Sequence, residues 1–414
     1  MDIAIVGGGI VGLALALGLQ RRGVSARVYE AAPEVKELGV GITLLPHAMR
    51  ELTAMGLGDK ARDLGIELHR SAFYNRFGQA IYAEDRGLAA GYPYPEISIH
   101  RGKLHNMLYR EALAVLGPER IITDRQLVSL SQDETGVDLT FRSPSTGQTL
   151  PTVRADLAIG CDGVNSTVRT AFYPADKVVF TGINTWRGVT RRKPILDGRT
   201  YLRIGSIRTG KIVVYPIADD VDDKGMQLIN WVAEIERATA EANDWNQGGK
   251  LEHFLPVYEN WVFDWLDVGA LIRESDVLLE YPMVDKDPLD RWTFGRVTLA
   301  GDAAHPMYPR GSNGSAQGLI DARTLAELLS STDDPLAALK AYEAARLGPT
   351  SKVVQTNRTS PPDIINIRVE ELTGDRPFED LDRFITQTEL RQLSDQYKRI
   401  AGFAAEDVVK PQTA

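Results

Sequence analysis

The chain has 414 residues, 43% of them hydrophobic, so its length predicts two or three globular domains with substantial cores. Lys and Arg number 47 against 56 Asp and Glu, and the resulting net charge of −9 argues against a nucleic-acid partner. The single cysteine, Cys161, excludes an intramolecular disulfide and a cysteine-based zinc or iron–sulfur site. The six histidines are dispersed along the chain, and we expect no metal site.

An apolar run at residues 3–19 opens the chain. No basic residue precedes it, glycines interrupt it, and it is shorter than the roughly 20 residues that a membrane span requires. We therefore expect no export signal and no membrane span, and we expect a cytoplasmic location.

The N-terminal segment predicts a β-α-β unit. Residues 2–6 are typical of a short buried strand, the following glycines lead into an apolar helix that ends near Arg22, and residues 26–30 predict a second strand. Such a unit implies a parallel sheet.

The remaining elements follow in chain order. The patterns predict helices at residues 46–55 and 101–115, a β-ribbon from residues 67–74 and 79–83, short strands through 121–154, and a buried strand at 156–160. Residues 178–284 are β-rich and predict a second domain, with an interruption at 238–250 and helices through 260–266 and 270–273. Residues 297–300 return to the first sheet, a helix covers 312–330, and a helical C-terminal portion ends in a loose tail at 408–414.

A glycine fingerprint lies between the first strand and the first helix. Gly7 permits the tight turn, Gly9 lets a pyrophosphate approach the backbone, and Gly12 allows close packing of helix on strand. Glu30, 18 residues after Gly12, is placed to bind the adenosine ribose hydroxyls. This pattern predicts dinucleotide binding but leaves FAD and NAD open, and an NAD-dependent dehydrogenase would explain the fingerprint alone.

Two later motifs point to a family. One predicted strand runs into Cys161-Asp162-Gly163 and another into Gly301-Asp302. With the N-terminal fingerprint, these motifs resemble the class A flavoprotein aromatic hydroxylases over about residues 1–358. The segments 182–188 and 307–321 are most similar to the 5-methylphenazine-1-carboxylate 1-monooxygenase-like members. Ala316 departs from the asparagine that many members carry.

The resemblance implies the para-hydroxybenzoate hydroxylase fold. This α/β fold has a Rossmann-like FAD-binding domain interleaved with a β-sheet substrate domain, and here a helical C-terminal segment follows. The predicted FAD-binding parts are residues 1–70, 101–177 and 286–345, the substrate domain comprises 71–100 and 178–285, and the C-terminal region is 346–414.

The resemblance also implies roles for individual residues. Asp302 would bind the ribityl chain of FAD, Arg101 would reach the cofactor from the start of its helix, and Asp162 would lie near the pyrophosphate. The helix that begins near residues 311–314 would direct its positive N terminus at the flavin. The implied cofactor-binding set is Gly7, Gly9, Gly12, Glu30, Arg101, Asp162, Gly301, Asp302, Gly311, Asn313 and Gly314. As alternatives, Arg101 could be a surface charge and Asp162 a turn residue, and we expect His305 to be structural.

The implied reaction is ring hydroxylation. NADH or NADPH would reduce FAD, O₂ would form a flavin C4a-hydroperoxide, and hydroxyl transfer to an aromatic or N-heteroaromatic ring would follow. The ring is expected to carry a carboxylate, with decarboxylation where attack falls on the carboxylated carbon. The candidate substrate-binding residues are Arg187, Arg203, Tyr215, Trp231, Tyr308, Pro309 and Arg310. Trp186 and Tyr201 could also line the cavity, but strand aromatics often belong to a sheet core.

Alternatives remain at this point. A halogenase or oxidase on the same fold would share the motifs, and a non-catalytic escort protein could retain the fold. The expected partners are a small aromatic substrate and O₂, and the chain could be a monomer or a homodimer.

Overall fold

The computed structural model describes residues 1–37, 39–236 and 249–409. In these ranges a six-stranded sheet forms the first layer. It is parallel except for one antiparallel edge pair, and its central strands are buried throughout, as expected for a sheet covered on both faces. From edge to edge its strands are Thr293–Phe294, Val297–Leu299, Leu157–Gly160, Ile3–Val6, Ala26–Tyr29 and Ile121–Ile122. The predicted β-α-β unit and the return near residue 297 are confirmed.

Helices pack on this sheet and on the β-rich region, and they continue through the C-terminal region. In the described residues they are α1 (Ile10–Gln20), α2 (Pro46–Ala54), α3 (Gly58–Asp63), α4 (Arg101–Leu116), α5 (Thr167–Phe172), α6 (Leu255–Tyr258), α7 (Val268–Arg273), α8 (Gly314–Ser330), α9 (Pro335–Thr359), α10 (Ile364–Thr373), α11 (Gln387–Ile400) and α12 (Ala405–Val409). None of these helices is both long enough and apolar enough to cross a membrane.

A second, seven-stranded sheet dominates the β-rich region. Its strands, in spatial order within the described chain, are Ser275–Asp285, Val179–Arg192, Gln227–Glu236, Gly210–Ala218, Thr200–Ser206, Arg70–Tyr74 and Ala80–Asp85. Neighbours are antiparallel except for the parallel pair of Thr200–Ser206 with Arg70–Tyr74. One face packs on an apolar core that includes Trp186, Trp231 and Phe254. The opposite face therefore is the one available to a ligand.

Smaller sheets accompany the two large ones. In the described residues they comprise Val153–Ala155, Val137–Arg142 and Gln126–Gln132; Gly41–Leu44, Ile97–His100 and Gly65–Glu67; and the short hairpin of Val262–Phe263 with Leu266–Asp267.

The hairpin corrects one sequence prediction, because the helix expected through residues 260–266 is wrong. Val262–Phe263 and Leu266–Asp267 pair antiparallel across a turn at residues 264 and 265, and Trp265 packs on Tyr74 with ring centroids 4.6 Å apart. The Asp267 side chain then accepts a hydrogen bond from the Ala270 N–H and caps α7. The predicted interruption at 238–250 lies largely outside the described residues, which omit 237–248.

The C-terminal region is helical, as predicted. Helix α9 continues through positions 345 and 346, where a domain boundary was expected, and the domain boundaries remain a prediction. The expected loose tail at 408–414 is wrong at its start, because Val408 is buried within α12. Residues 410–414 lie outside the described chain.

Candidate active site

A cavity of about 680 Å³ lies between the two large sheets. Its lining includes Gly9, Asp162 and Asp302 from the first layer and Arg187 and Tyr215 from the seven-stranded sheet. The three sequence motifs and the β-rich region therefore meet at one place, although they are up to about 300 residues apart in the chain.

The glycine fingerprint has the geometry of a cofactor loop. Gly7 has a φ of +105°, and a Cβ at this position would lie 2.4 Å from the Cys161 carbonyl oxygen. A Cβ at Gly12 would lie 2.0 Å from the Gly7 carbonyl oxygen. At Gly9, in contrast, a Cβ would meet no protein atom within 4 Å, and this residue lines the cavity at the start of α1. Gly7 and Gly12 thus shape the loop, and Gly9 exposes backbone to a ligand.

Glu30 holds this loop from the end of the second strand. Its carboxylate accepts hydrogen bonds from the backbone N–H groups of Gly8 and Ala32, both at 2.7 Å. A carboxylate oxygen can accept more than one hydrogen bond, so these contacts are compatible with a ribose hydroxyl as an additional donor. The ribose role of Glu30 stays a prediction.

Asp162 and Asp302 both line the cavity. The Asp162 carboxylate also accepts hydrogen bonds from the Ser166 hydroxyl and the Thr167 N–H, so the alternative turn role is present in the structure. Asp302 is accessible from the cavity but lies deep in the molecule, and desolvation raises the pKa of both carboxyls above their ordinary value. Arg101, at the first residue of α4, lines the cavity and lowers the Asp302 pKa in part.

The Gly301-Asp302 turn is fixed by a buried acidic residue. The Gly301 N–H donates to Oδ2 of Asp321, 3.0 Å away, and the same carboxylate accepts hydrogen bonds from His305 and Arg346. His305 is buried and is absent from the residues that line the cavity, which agrees with the structural role expected of it.

The loop before α8 divides into residues that line the cavity and residues that do not. Pro309, Arg310, Asn313 and Gly314 line it. Gly311, expected to bind the cofactor, instead packs on the C-terminal region, where a Cβ would lie 1.5 Å from the Tyr397 hydroxyl oxygen. A side chain at Gly311 would therefore displace α11.

Tyr308 also differs from the expectation of a substrate contact. Its side chain packs with Ile183 and Met283, and its backbone carbonyl accepts a hydrogen bond from the Asn357 amide at 3.1 Å. Tyr308 thus anchors the loop rather than lining the cavity.

The Asn313 side chain forms a hydrogen bond with a buried histidine. Nε2 of His47 lies 2.8 Å from Oδ1 of Asn313, and the His47 ring stacks on Phe403 at 5.4 Å. Burial lowers the pKa of His47 from its ordinary value of 6.5 to about 4. The neutral His47 ring thus joins the cavity loop to the C-terminal region.

We expect His47 to make the folded protein sensitive to mild acid. Between pH 6.5 and 4 the unfolded chain binds a proton at His47 that the folded chain does not, so the free energy of unfolding falls with decreasing pH. From pH 7 to pH 5 this loss is about 2 kcal/mol. Urea unfolding of His47→Gln at both pH values should show a correspondingly smaller decrease. His69→Gln, an exposed histidine, is the control, and an equal decrease in His47→Gln and wild type would contradict the assignment.

The sheet register builds the substrate side of the cavity as two rows of cross-strand neighbours. One row is polar. In it, Thr185 pairs with Tyr281 on one neighbouring strand and with Glu234 on the other, and Glu234 pairs in turn with Lys211. The adjacent row contains Arg187, Val232, Val213 and Arg203. Tyr201 and Tyr215, whose rings stack at 4.9 Å, border the apolar centre.

Trp231 and Arg203, proposed as substrate contacts, do not line the cavity. Trp231 alternates with Val232 along its strand and so points to the opposite face, where its indole N–H donates to Thr190 and Ser275. Trp186 lies on that same core face, stacked on Phe254. The Arg203 side chain turns aside to donate to the Ser71 hydroxyl and lies 4.4 Å from the Tyr201 ring centroid.

Of the two arginines on the seven-stranded sheet that were predicted to contact the substrate, Arg187 is the one that lines the cavity. It lines the cavity, its Nε is buried, and no hydrogen-bond partner for that atom occurs among the described residues. Lys211, Glu234 and Asp363 are charged residues beside the cavity that sequence reasoning missed. The sequence did contain one indication of this charged site, namely a Lys and a Glu within predicted strands that are otherwise mostly apolar.

FAD fits the residues of the first layer. The open approach at Gly9 and the N terminus of α1 suit a pyrophosphate, Arg101 supplies a cation, and Asp302 supplies a hydrogen-bond acceptor. The model for an FAD binding domain matches residues 1–238 and 283–357. The chain belongs to the FAD binding domain family.

Similar proteins place this chain among the FAD-dependent aromatic monooxygenases. It is 39% identical over 363 residues to phenazine 1,6-dicarboxylic acid hydroxylase PhzS of Lysobacter antibioticus, covering 86% of this chain and 89% of that protein. It is 30% identical over 378 residues to 3-hydroxybenzoate 6-hydroxylase 1 of Aquipseudomonas alcaligenes, covering 86% and 88%. The predicted FAD-dependent aromatic monooxygenase, with NADH or NADPH as reductant, is confirmed.

Solved structures support the fold. A salicylate hydroxylase in complex with substrate has a TM-score of 0.73 at 24% identity, covering 100% of this chain and 99% of that one. HpxO of Klebsiella pneumoniae, in complex with FAD and uric acid, has a TM-score of 0.77 at 23% identity, covering 99% and 97%. The α/β fold with its helical C-terminal segment is therefore as predicted.

Proposed function

We propose that this monooxygenase hydroxylates a flat aromatic or N-heteroaromatic ring whose carboxylate is bound by Arg187. The observation that carries this proposal is Arg187, a cation that lines the cavity and whose buried Nε has no hydrogen-bond partner in the described chain. An unpaired buried donor on a cation is costly, and a planar carboxylate is its best-matched partner. The guanidinium carbon also lies 5.9 Å from the Tyr281 ring centroid, which limits its orientation.

The cavity suits a flat apolar ring beside that cation. Val213 and Val232 form an apolar floor, and Tyr201 and Tyr215 border it. On the opposite side the cavity is lined by Pro306, Met307 and Pro309, which carry no charge. A ring with its carboxylate on Arg187 would rest between these surfaces, which orient it and exclude water.

The names of similar proteins support a carboxylated ring. One acts on a phenazine dicarboxylic acid and another on a hydroxybenzoate, by their names. FAD, once bound, supplies the electrons and the activated oxygen for hydroxylation. The role of the protein is to position the ring. Decarboxylation, a monomeric or homodimeric state and a cytoplasmic location all stay predictions.

Replacement of Arg187 by methionine tests this proposal. With phenazine-1-carboxylate as substrate, we expect kcat/KM to fall about 100-fold, mainly through KM, because a charge-assisted bidentate contact is lost. Substrate-stimulated NADH and NADPH oxidation would be measured, with mass spectrometry of the product for addition of one oxygen atom and for loss of CO₂.

The control is Arg191→Met, an exposed arginine on the same strand, which should retain wild-type kinetics. Both variants should retain FAD, as judged by visible absorbance. An unchanged KM in Arg187→Met would contradict the proposal, as would a wild-type enzyme that binds unsubstituted phenazine as tightly as phenazine-1-carboxylate.

A further inference from the structure

Four buried charged residues form a network at the edge of the substrate cavity. Nζ of Lys211 lies 2.7 Å from Oε2 of Glu234 and 3.2 Å from Oδ2 of Asp363. Nη2 of Arg310 donates to the same Asp363 oxygen at 2.7 Å. Each of the four is at most 8% exposed, and Lys211, Glu234 and Arg310 line the cavity. Two cations and two carboxylates thus balance within the network.

Asp363 comes from the part of the chain that follows the family match, which ends at residue 357. It immediately precedes α10, where an aspartate commonly accepts hydrogen bonds from the first turn of its own helix. The Asp363 side chain makes no such bond. It reaches instead to Arg310 and Lys211, so the C-terminal region supplies a carboxylate to the cavity cations.

Within the described part of the chain, the network leaves the substrate side of the cavity with one cation free for an anionic ligand. Arg187 has no ion pair among the described residues, whereas both other cations are held by carboxylates. A ring with one carboxylate is satisfied by Arg187. A second carboxylate would enter a low-dielectric cavity without an available cation and near Glu234, and it would lose its hydration without replacement.

We propose that Asp363 is a positioning residue that sets substrate specificity: by holding Arg310 and Lys211, it restricts the cavity to rings that carry a single carboxylate. This inference rests on the proposed function of Arg187 as the carboxylate anchor. It assigns to the C-terminal region a direct influence on which ring is bound.

The test compares phenazine-1-carboxylate with phenazine-1,6-dicarboxylate as ligands of the oxidised holoenzyme. Dissociation constants are measured from the change in visible flavin absorbance. In the wild type, we expect the monocarboxylate to bind about tenfold or more tightly than the dicarboxylate, because one desolvated charge lacks a partner. In Asp363→Asn, where Arg310 is released, we expect this ratio to shift by about tenfold toward the dicarboxylate.

Two further variants separate specificity from folding. Asp375→Asn is the matched control, because Asp375 lies in the same C-terminal region and pairs with an arginine, Arg76, at 2.8 Å, but outside the substrate cavity. It should retain the wild-type ratio. Adding Arg310→Gln to Asp363→Asn should remove the gain in dicarboxylate binding, since the released cation is then absent.

The outcomes are distinguishable from failure of the proposed function. If Arg187 is not the anchor, the wild type will not prefer phenazine-1-carboxylate to phenazine, or Arg187→Met will keep that preference. If Asp363 does not set specificity, the preference will be present in the wild type and lost in Arg187→Met, but the wild type will bind the monocarboxylate and the dicarboxylate equally or Asp363→Asn will leave the ratio of their dissociation constants unchanged. Should Asp363→Asn fail to fold, the wild-type ratio alone decides, and equal or tighter binding of the dicarboxylate overturns the inference.

Discussion

Replacement of Gly12 by alanine is expected to abolish FAD binding and to lower the free energy of unfolding by about 3 kcal/mol or more, the range for severe overpacking. The Cβ would lie 2.0 Å from the Gly7 carbonyl oxygen, and the next nearest atoms are the Gly7 carbonyl carbon at 3.2 Å and Cγ2 of Ile5 at 3.3 Å. Because the obstructing atom belongs to the backbone of the cofactor loop, relief requires that the loop or α1 move. Either movement removes the geometry that the pyrophosphate needs.

Gly9→Ala should separate cofactor binding from folding. Its Cβ meets no protein atom within 4 Å, and its φ of −74° is accessible to alanine, so the apoprotein should be as stable as the wild type. FAD affinity should nevertheless fall by at least about tenfold, because the methyl group occupies the approach of the pyrophosphate.

Urea unfolding of the apoproteins and FAD titration by fluorescence quenching measure the two effects. Gly348→Ala, at an exposed position in α9 with no atom within 4 Å apart from its chain neighbours and its own helix backbone, is the control and should be unchanged in FAD affinity. If Gly9→Ala bound FAD as tightly as the wild type does, the pyrophosphate could not approach the loop at Gly9, and the prediction would be wrong.

The cofactor side of the molecule could be predicted from the sequence because its constraints are local. A turn that Gly7 makes at positive φ and the close approach at Gly12 each require glycine within a few residues of a predicted strand. Gly311 shows the limit of such reasoning. Its requirement for glycine is equally strict, but it comes from Tyr397, 86 residues further along the chain.

The substrate side could be predicted only in part, because the register of the seven-stranded sheet decides which residues face the cavity. Trp231 and Val232 are adjacent, and a shift of one residue would exchange their faces. Residue type favoured the tryptophan as a substrate contact, but the pairing with Arg187 places the valine there. Tyr215, on the neighbouring strand, does line the cavity, so aromatic character by itself did not distinguish the two faces.

Asp363 had no signal in the sequence at all. It follows two prolines and precedes a helix, which is the pattern of an ordinary helix cap. Its partners Lys211 and Arg310 lie 152 and 53 residues away in the chain. Only the packing of the C-terminal region on the cavity brings these charges together.

Replacement of Asp321 by alanine is expected to destabilise the protein by about 3 to 5 kcal/mol, the cost of leaving a buried cation unpaired. Oδ1 of Asp321 accepts a hydrogen bond from Nε of Arg346 at 2.7 Å, and Oδ2 accepts one from the Gly301 N–H at 3.0 Å. Arg346 is 7% exposed, so it would have no access to bulk water as a replacement. Adding Arg346→Met to Asp321→Ala should recover part of the lost stability. If the single and the double variant were equally stable, the unpaired Arg346 would not be the cause of the destabilisation.

The pH dependence of this variant identifies the charge as the cause. His305 and Arg346 lower the pKa of Asp321 to about 2, despite burial. A carboxyl whose folded pKa lies below its unfolded value contributes stability that is present above about pH 4 and is lost as the pH falls toward 2. Wild-type unfolding free energy should therefore fall over this range by about 2 kcal/mol more than that of Asp321→Ala. FAD should also dissociate more readily from the variant at neutral pH, because the Gly301 N–H loses the acceptor that fixes the turn before Asp302. Equal acid sensitivity in the two proteins would show that Asp321 acts through shape rather than charge.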